Sequence, residues 1–328
     1  MVHSRSQDNA SAFARDFGVA EVAASLAAAT QSSNVDAFYI ATPPTAHRAQ
    51  ALACLGAGKP VLIEKPFAAS RADAAAIADM ARAQGVFCME GMWTRFLPAS
   101  IRLRTLIKEG VIGTPRSLSG SFGASNIVDE GDNQFRPDLG GGALLHRGIY
   151  ALSMAIDLLG PATLAASAAT LGATGVDEDC VVVLRHTNGA LATLRSSLRA
   201  PLPNTLTIEG THGLIKVSPP IYRPFRIEVL KSRPTSRGKR GSQRMEALRE
   251  SASTQGLQQC IAGRLPGRGP SAMAAHYRGN GYGYEADEVA RCVRQGAIES
   301  DVMPLDQSVE MVGLMGQARL AWLPEAKT

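Results

Sequence analysis

The chain has 328 residues, 45% of them apolar, which is long enough for two domains with sizeable cores. Lysine and arginine number 34 against 29 acidic residues, a small excess spread along the chain that indicates no general polyanion partner. The five cysteines lie far apart, which fits neither a disulfide framework nor a paired zinc site, so we expect reduced thiols in a cytoplasmic protein. The chain has no run of 18 apolar residues, so we expect no membrane-spanning helix, and its start lacks the apolar centre of a signal peptide.

The first 90 residues alternate short apolar runs with helical patterns, as expected for a parallel sheet with crossover helices. A first helix is predicted over residues 8–17, ending at Gly18. Strands are predicted over residues 37–40, 61–63 and 86–89. Between them we expect helices over residues 45–55 and 72–84, ending at Gly56 and Gly85, with Ser70 as the cap of the second.

Beyond residue 92 the pattern changes. Helices are predicted over residues 98–109 and 143–159, the latter long and amphipathic and ended by Gly160. Strand-like segments fill residues 163–217, including 181–184 and 190–194 around an Asn188–Gly189 turn. Residues 219–269 predict a solvated loop, whose basic stretch lacks the aromatic residues of a nucleic-acid site. The whole pattern predicts an α/β domain followed by an α+β domain with a mostly antiparallel sheet.

No glycine cluster supports nucleotide binding by itself. A dinucleotide site is normally indicated by G-x-G-x-x-G between a strand and a helix, and the chain lacks that motif. The G-A-G-K-P segment at residues 56–60 has Pro60 where a phosphate loop needs serine or threonine. The G-N-G-Y-G segment at residues 279–283 has the wrong spacing and is interpreted as the loop before a helix.

Two motifs at predicted strand ends indicate a family. T-P-P-T-A-H spans Thr42 to His47, and Glu64-Lys65-Pro66 follows about twenty residues later at the end of the next strand. Further segments are M-E-G-M-W-T-R-F (89–96), G-G-A-L-L (141–145), G-I-Y (148–150) and G-Y-G-Y-E-A (281–286). Together they closely resemble the Gfo/Idh/MocA oxidoreductases, in the branch of dimeric dihydrodiol dehydrogenases and glucose-fructose oxidoreductases. The resemblance covers nearly the whole chain and is weakest from about residue 218 to 270.

The resemblance implies a Rossmann domain at residues 1–91 and a substrate and oligomerisation domain at residues 92–328. In this register Val2 to Ser6 matches the end of the family's second strand. We therefore expect a truncated Rossmann domain that lacks the first strand, the glycine-rich turn and the first helix. That unit carries the backbone amides that bind the pyrophosphate, and its strand is central in the sheet.

The resemblance assigns Lys65 as the catalytic lysine and Tyr150 as the tyrosine that transfers the proton. Oxidation of an alcohol needs a base for the hydroxyl proton while hydride leaves for nicotinamide, and a nearby ammonium favours the phenolate. A structural role for Tyr150 stays open. His146 stands where the family usually has aspartate, and its place four residues before Tyr150 predicts a shared helix face. It is interpreted as a substrate or relay residue, or as a tolerated structural replacement.

The cofactor is expected at the carboxyl ends of the parallel strands. The resemblance places Thr42, Pro43, His47, Glu64 and Lys65 beside it, with a packing role open for His47.

Other cofactor residues are predicted at the two ends of the Rossmann segment. Ser4 and Arg5 follow the second strand, where a basic residue favours NADP over NAD, although Arg5 is equally readable as a surface residue. Trp93 and Arg95 are expected on the strand leading into the second domain, as cleft residues or as packing residues.

The sequence thus predicts an NAD(P)-dependent oxidoreductase acting on a sugar, a cyclic polyol or a dihydrodiol. We expect a homodimer with no nucleic-acid or membrane partner and no metal. Two alternatives stay open: a non-catalytic relative that binds dinucleotide or a partner protein, and an inactive truncated fragment.

Overall fold

The structure, a computed structural model, describes residues 1–232 and 271–322. Two helices come first, α1 (Gln7–Phe17) and α2 (Leu26–Gln31). The hydroxyls of Ser6 and Ser25 cap them by accepting backbone N–H groups, and α1 ends at Gly18 with φ 65°, as predicted. Val2 forms a single parallel bridge with Val22.

A three-stranded parallel sheet follows, in the order β1 (Phe38–Ile40), β2 (Val61–Glu64) and β3 (Cys88–Gly91). The third strand begins two residues later than predicted, because Val86 donates its N–H to Ala81 and completes the end of the preceding helix. The residues of β3 are all buried, as expected for a strand covered on both faces. Among the described residues, β1 pairs with β2 only.

Helices α3 (Pro44–Gly56) and α4 (Arg71–Gln84) cross from each strand to the next. Both match the prediction within one residue at each end. Ser70 caps α4 by accepting the N–H of Asp73, and Gly85 ends it with φ 62°. The predicted α/β unit is therefore confirmed.

The path into the second half begins with a 3-10 turn, Trp93–Phe96, where a strand was predicted. Helix α5 (Pro98–Lys108) and strand β4 (Pro115–Gly123) follow. The single amphipathic helix predicted over residues 143–159 is wrong on two points. It starts as a π-helical turn, Leu144–Gly148, and continues as α6 (Ile149–Leu159), in which every residue but Asp157 is buried. A helix with no exposed face belongs to the core of the domain.

Eight strands form the second sheet. Besides β4 they are β5 (Ala162–Leu171), β6 (Asp177–His186), β7 (Leu191–Ser197), β8 (Leu206–Gly210), β9 (Gly213–Val217), β10 (Arg226–Lys231) and β11 (Ser271–Ala274). The order is β11-β10-β9-β8-β4-β7-β6-β5, and only β4 and β7 pair in parallel. The mostly antiparallel sheet is confirmed, with the predicted turn at Gly189 (φ 84°) between β6 and β7.

Part of the predicted loop over residues 219–269 is strand β10, which adds to the sheet edge at β9. Residues 233–270 lie outside the described residues, and with them Cys260 and nearly all of the basic stretch.

The chain returns to the first sheet near its end. Helix α7 (Gly283–Arg294) contacts the 3-10 turn, and α8 (Leu305–Leu320) packs against α4 and β3 as well as β5 and α6. Residues of the predicted second domain thus cover part of the first, and the boundary after residue 91 stays a prediction. Within residues 1–232 and 271–322, no helix has the length and apolar character needed to cross a membrane.

The cap of α4 gives a first test. Replacement of Ser70 by alanine removes an oxygen that accepts a free N–H of the first turn, and we expect a loss of about 1 kcal/mol in unfolding free energy. Urea denaturation measures it. Ser70→Thr retains the hydroxyl and is expected to keep most of the stability. Equal losses in both variants would contradict the capping role.

Candidate active site

The carboxyl ends of the three parallel strands meet at one edge of the first sheet. Thr42 is exposed just beyond β1, while Glu64 and Lys65 stand partly buried at the end of β2. Gly91 ends β3, where a Cβ would lie 3.3 Å from the carbonyl oxygen of Ile63. This edge is where ligands of open parallel sheets collect.

Lys65 connects the first sheet with the second half of the chain, because it contacts residues of the π-helical turn and of α6. Its Nζ donates to the carbonyl oxygen of His146 at 3.4 Å and lies 5.2 Å from the centroid of the Tyr150 ring. Burial lowers the pKa of this amine, while the carboxylates of Glu64 and Glu90 oppose that shift. Lys65 and Tyr150 are therefore neighbours, as the resemblance implied.

Tyr150 lies at the start of α6 and is 7% exposed. The indole Nε1 of Trp93 donates to its hydroxyl at 3.4 Å. Burial raises the pKa of Tyr150 to about 12. Desolvation of the phenolate thus opposes the effect expected of a nearby ammonium, and the influence of Lys65 on Tyr150 stays a prediction.

His146 lies in the π-helical turn, and its backbone rather than its ring touches Lys65. Burial, and secondly the charge of Lys65, lower the pKa of the imidazole to about 4, so the ring is neutral at pH 7. The N–H of Ile149 reaches the carbonyl of Leu144, five residues back, so the α-helical spacing behind the predicted shared face does not hold through this turn.

Asp177 fixes the start of the π-helical turn. Its Oδ2 accepts the N–H of Leu144 at 2.7 Å. A Cβ on Gly142 would lie 2.1 Å from Oδ1 of the same carboxylate, and Gly142 has φ 122°. A glycine is therefore required beside Asp177, and this contact places the carbonyl of His146 over Lys65.

His47 is completely buried in α3. One ring nitrogen contacts the carbonyl oxygen of Thr42 at 2.8 Å, and the other contacts that of Pro66 at 3.1 Å. The ring thus ties the end of β1 to the turn that carries Lys65, whose peptide bond to Pro66 is cis. These contacts favour the packing role over contact with a cofactor.

Arg95 does not line the cleft. It is 0% exposed, and its guanidinium donates to the hydroxyl and carbonyl of Ser153, to the carbonyl of Val302 and to Gln307. The prediction of Arg95 as a cleft residue is contradicted, because a tertiary pocket formed by α6 and the segment before α8 takes up its donors.

Trp93 belongs to a cluster of aromatic rings that includes Tyr150, the neighbour of Lys65, and we call this cluster the aromatic wall. Its ring stacks on Tyr282 with centroids 4.5 Å apart and an angle of 11° between the planes. Tyr222, Phe122 and Tyr150 continue the wall at centroid distances of 5.0 to 6.2 Å. Such a surface suits an aromatic ring or the apolar face of a sugar.

Two buried carboxyl groups at this edge were not predicted. Glu90 is 0% and Glu285 is 2% exposed, and one oxygen of each lacks a hydrogen-bond partner within residues 1–232 and 271–322. Burial raises the pKa of Glu90 to about 7 and that of Glu285 to about 8. Glu90 lies in the motif M-E-G-M-W and Glu285 in G-Y-G-Y-E-A. For Glu90, a charged residue among apolar strand residues is the signal that could have indicated it.

The strand edge fits the nicotinamide half of a dinucleotide. Exposed Thr42, with partly buried Glu64 and Lys65, offers hydrogen-bonding groups where such a ring lies in Rossmann folds. In the described part of the parallel sheet, no strand leads into its helix through a glycine-rich turn. Ser4 accepts the N–H of Ser6 and Arg5 is exposed, so their contact with a cofactor stays a prediction.

Comparisons with known proteins agree with this geometry. Residues 1–92 match the model of an oxidoreductase family with an NAD-binding Rossmann fold, and residues 101–216 match the GFO/IDH/MocA C-terminal domain. The trans-1,2-dihydrobenzene-1,2-diol dehydrogenase of Mus musculus is 31% identical over 329 residues, covering 98% of this chain and 87% of that protein. The D-xylose 1-dehydrogenase (NADP(+)) of Hypocrea jecorina is 31% identical, covering 87% and 72%.

Solved structures share the fold at lower identity. A 3-ketoreductase from Actinomadura kijaniata, in complex with NADP and TDP-benzene, superposes with a TM-score of 0.76 at 22% identity, covering 98% of this chain and 90% of that one. An aldose-aldose oxidoreductase from Caulobacter crescentus gives 0.78 at 20% identity, covering 97% and 88%.

A Rossmann sheet whose strand-end lysine meets a tyrosine of an antiparallel-sheet domain defines the class, the nicotinamide-dependent oxidoreductases. Within that class the chain belongs to the GFO/IDH/MocA family. The predicted family, fold and NAD(P) dependence are confirmed.

Arg95 tests the distinction between a cleft residue and a core residue. In Arg95→Leu the carbonyl groups of Ser153 and Val302 lose their donor, and we expect a loss of at least about 2 kcal/mol in unfolding free energy. Chemical denaturation measures this loss. The control Arg294→Leu removes an exposed arginine of α7 and is expected to cost little. If Arg95→Leu kept its stability and lost cofactor affinity, Arg95 would be a cleft residue and the core role would be contradicted.

His146 gives a pH test. Its pKa is about 4 in the folded protein against an ordinary value of 6.5, so the unfolded chain binds more protons between these values. The folded protein therefore loses stability through His146 as the pH falls from about 6.5 toward 4. We expect the melting temperature of His146→Gln to fall less between pH 7 and pH 5 than that of the unchanged protein. Equal falls would contradict a buried, neutral imidazole.

Proposed function

We propose that the protein oxidises a secondary alcohol of a sugar, a cyclic polyol or a dihydrodiol and transfers hydride to NADP. The observation that carries this proposal is the contact between Lys65 and Tyr150 at the carboxyl edge of the Rossmann sheet. The partly exposed rings of Tyr222 and Phe122 in the aromatic wall support a cyclic substrate, since aromatic rings offer flat apolar faces to other rings. The relatives named for dihydrodiol and xylose oxidation support the same class.

The chemistry divides between the cofactor and this chain. When bound, the nicotinamide accepts the hydride that leaves the alcohol carbon as the carbonyl forms. Tyr150 Oη acts as a phenolate that takes the hydroxyl proton and becomes the neutral phenol, and the ammonium of Lys65 stabilises the phenolate before the transfer. Because Tyr150 and Lys65 are both shielded from water, this charge interaction is stronger than in solvent. In the reverse direction Tyr150 returns the proton to the carbonyl oxygen.

His146 holds Lys65 in place and adds a neutral polar group to the substrate side. Its carbonyl oxygen accepts from Lys65 Nζ, which limits the rotamers of the lysine. Its imidazole is uncharged at pH 7 and can donate or accept one hydrogen bond. A neutral ring at the position where relatives usually carry aspartate favours an uncharged substrate hydroxyl as its partner.

Two finer parts of the proposal concern the cofactor and the assembly. Exposed Arg5 after the Val2 bridge favours the 2′-phosphate of NADP over the free hydroxyl of NAD. A homodimer formed through the eight-stranded sheet is consistent with the exposed Leu171 and Leu191 on its strands. A cytoplasmic location is supported by the free thiols of the cysteines within the described residues.

A regulator that binds dinucleotide without turnover is the second candidate. It is favoured by His146 in place of aspartate. The joint presence of Lys65 and Tyr150 in contact favours the enzyme.

The catalytic assignment is tested at Lys65 and Tyr150. We expect Lys65→Ala and Tyr150→Phe each to lower kcat at least about 100-fold, because each removes part of the proton-transfer pair. Steady-state NADPH formation with a panel of sugars and dihydrodiols measures it. NADPH fluorescence titration checks that both variants still bind the cofactor.

The matched control is Lys108→Ala, which removes an exposed lysine at the end of α5 and is expected to leave kcat unchanged. Full activity in Lys65→Ala would overturn the catalytic assignment. NADPH binding without oxidation of any substrate by the unchanged protein would favour the regulator.

A further inference from the structure

Glu90 is a buried carboxyl group that the proposed reaction does not yet use. It lies in β3 opposite Ile63 of β2, one residue before the pair Gly91 and Glu64. Its Oε1 accepts the N–H of Phe67 at 3.0 Å, and its Oε2 has no hydrogen-bond partner among the described residues. A buried carboxylate without a full set of donors is costly, which points to a role for its charge.

The contact with Phe67 holds the turn that carries Lys65. Phe67 is completely buried two residues after Lys65, and Pro66 between them contacts the ring of His47. The turn is therefore held by two contacts, one with Glu90 and one with His47.

Few charged or polar groups act on the carboxyl group of Glu90. They are Lys65 and Glu64 at the end of β2, Arg95 in the 3-10 turn, and the hydroxyl of Ser308 in α8. The guanidinium of Arg95 donates to Ser153, Val302 and Gln307 instead.

Glu64 is engaged elsewhere, because it accepts from the hydroxyl of Tyr39 and from the N–H of Lys65. Glu90 is therefore a fully buried carboxyl group beside the strand end that carries Lys65, and its Oε1 is bonded to the turn that follows Lys65.

We propose that Glu90 is the positioning residue of Lys65: it fixes the Lys65–Phe67 turn through the N–H of Phe67 and places a buried carboxyl group beside the strand end that carries the amine. This inference deepens the proposed function and rests on it, since Lys65 is the residue through which Glu90 acts. Glu90 itself touches neither the alcohol nor the cofactor in this scheme.

The charges of the two groups support each other. Burial raises the pKa of Glu90 to about 7 and lowers the pKa of Lys65. As the pH rises through 7, Glu90 loses its proton, and its negative charge then raises the pKa of Lys65 against the effect of burial. The charge of Glu90 therefore favours the ammonium form of Lys65 beside Tyr150.

The test titrates Lys65 directly in the cofactor-free protein. The rate at which acetic anhydride acetylates Lys65 is followed against pH by mass spectrometry of its peptide, since only the neutral amine reacts. In Glu90→Gln the amide oxygen still accepts from Phe67, but the charge is lost. We expect the apparent pKa of Lys65 to fall by about one unit.

Glu285→Gln is the matched control, because it removes the other buried carboxyl group with a partnerless oxygen, and that group is not among those acting on Lys65. We expect it to leave the Lys65 titration in place. Ser308→Ala is a milder second variant that removes a hydroxyl lowering the pKa of Glu90, and it should shift Lys65 slightly in the direction of Glu90→Gln. Unshifted Lys65 curves in Glu90→Gln, or in Ser308→Ala if the former does not fold, would overturn the inference.

The pH profile of kcat/KM separates this inference from the proposed function. A shifted Lys65 titration in a protein that oxidises no alcohol would support Glu90 as the positioning residue and refute the proposed reaction. If Lys65 titrates in Glu90→Gln as it does in the unchanged protein, and activity still depends on Lys65, the positioning role of Glu90 is refuted and the proposed reaction is not.

Discussion

The shielding of one ammonium group from water is the constraint on which the site depends. Lys65 is partly buried, and burial lowers the pKa of its amine, which disfavours the charged form. Its charge is kept by groups from several elements: the carbonyl of His146, the ring of Tyr150, and the carboxyl groups of Glu64 and Glu90. An amine held in this way has a fixed position and a tuned proton affinity, which are the two properties that proton transfer needs.

These partners come from both halves of the chain, so the site is complete only where the two halves pack together. Asp177 on β6 anchors the π-helical turn through Leu144, and that turn presents the carbonyl of His146 to Lys65. Helix α8 and the segment before it close the other side, where Val302 and Gln307 take up the donors of Arg95. Arg95 therefore serves the reaction indirectly, by holding the elements that surround Lys65.

Local signals in the sequence predicted much of this arrangement. The capping serine of α4, the glycine that ends it and the lysine at the end of β2 each depend on neighbouring residues in the chain. The π-helical turn, the burial of Arg95 and the roles of Glu90 and Asp177 depend on contacts between residues distant in sequence. Arg95 follows a tryptophan near a predicted cleft, and only the tertiary pocket around Ser153 shows that its donors point into the core.

The central claim is that the nicotinamide ring lies at the carboxyl edge of the Rossmann sheet, beside Lys65 and Tyr150. A crystal structure of the protein with NADP and a bound polyol tests it most directly. The account predicts the alcohol oxygen within hydrogen-bond reach of Tyr150 Oη, about 3 Å, and the alcohol carbon about 3.5 Å from nicotinamide C4. A nicotinamide ring placed away from this edge, with Lys65 still bound only to His146 and Tyr150, would contradict it.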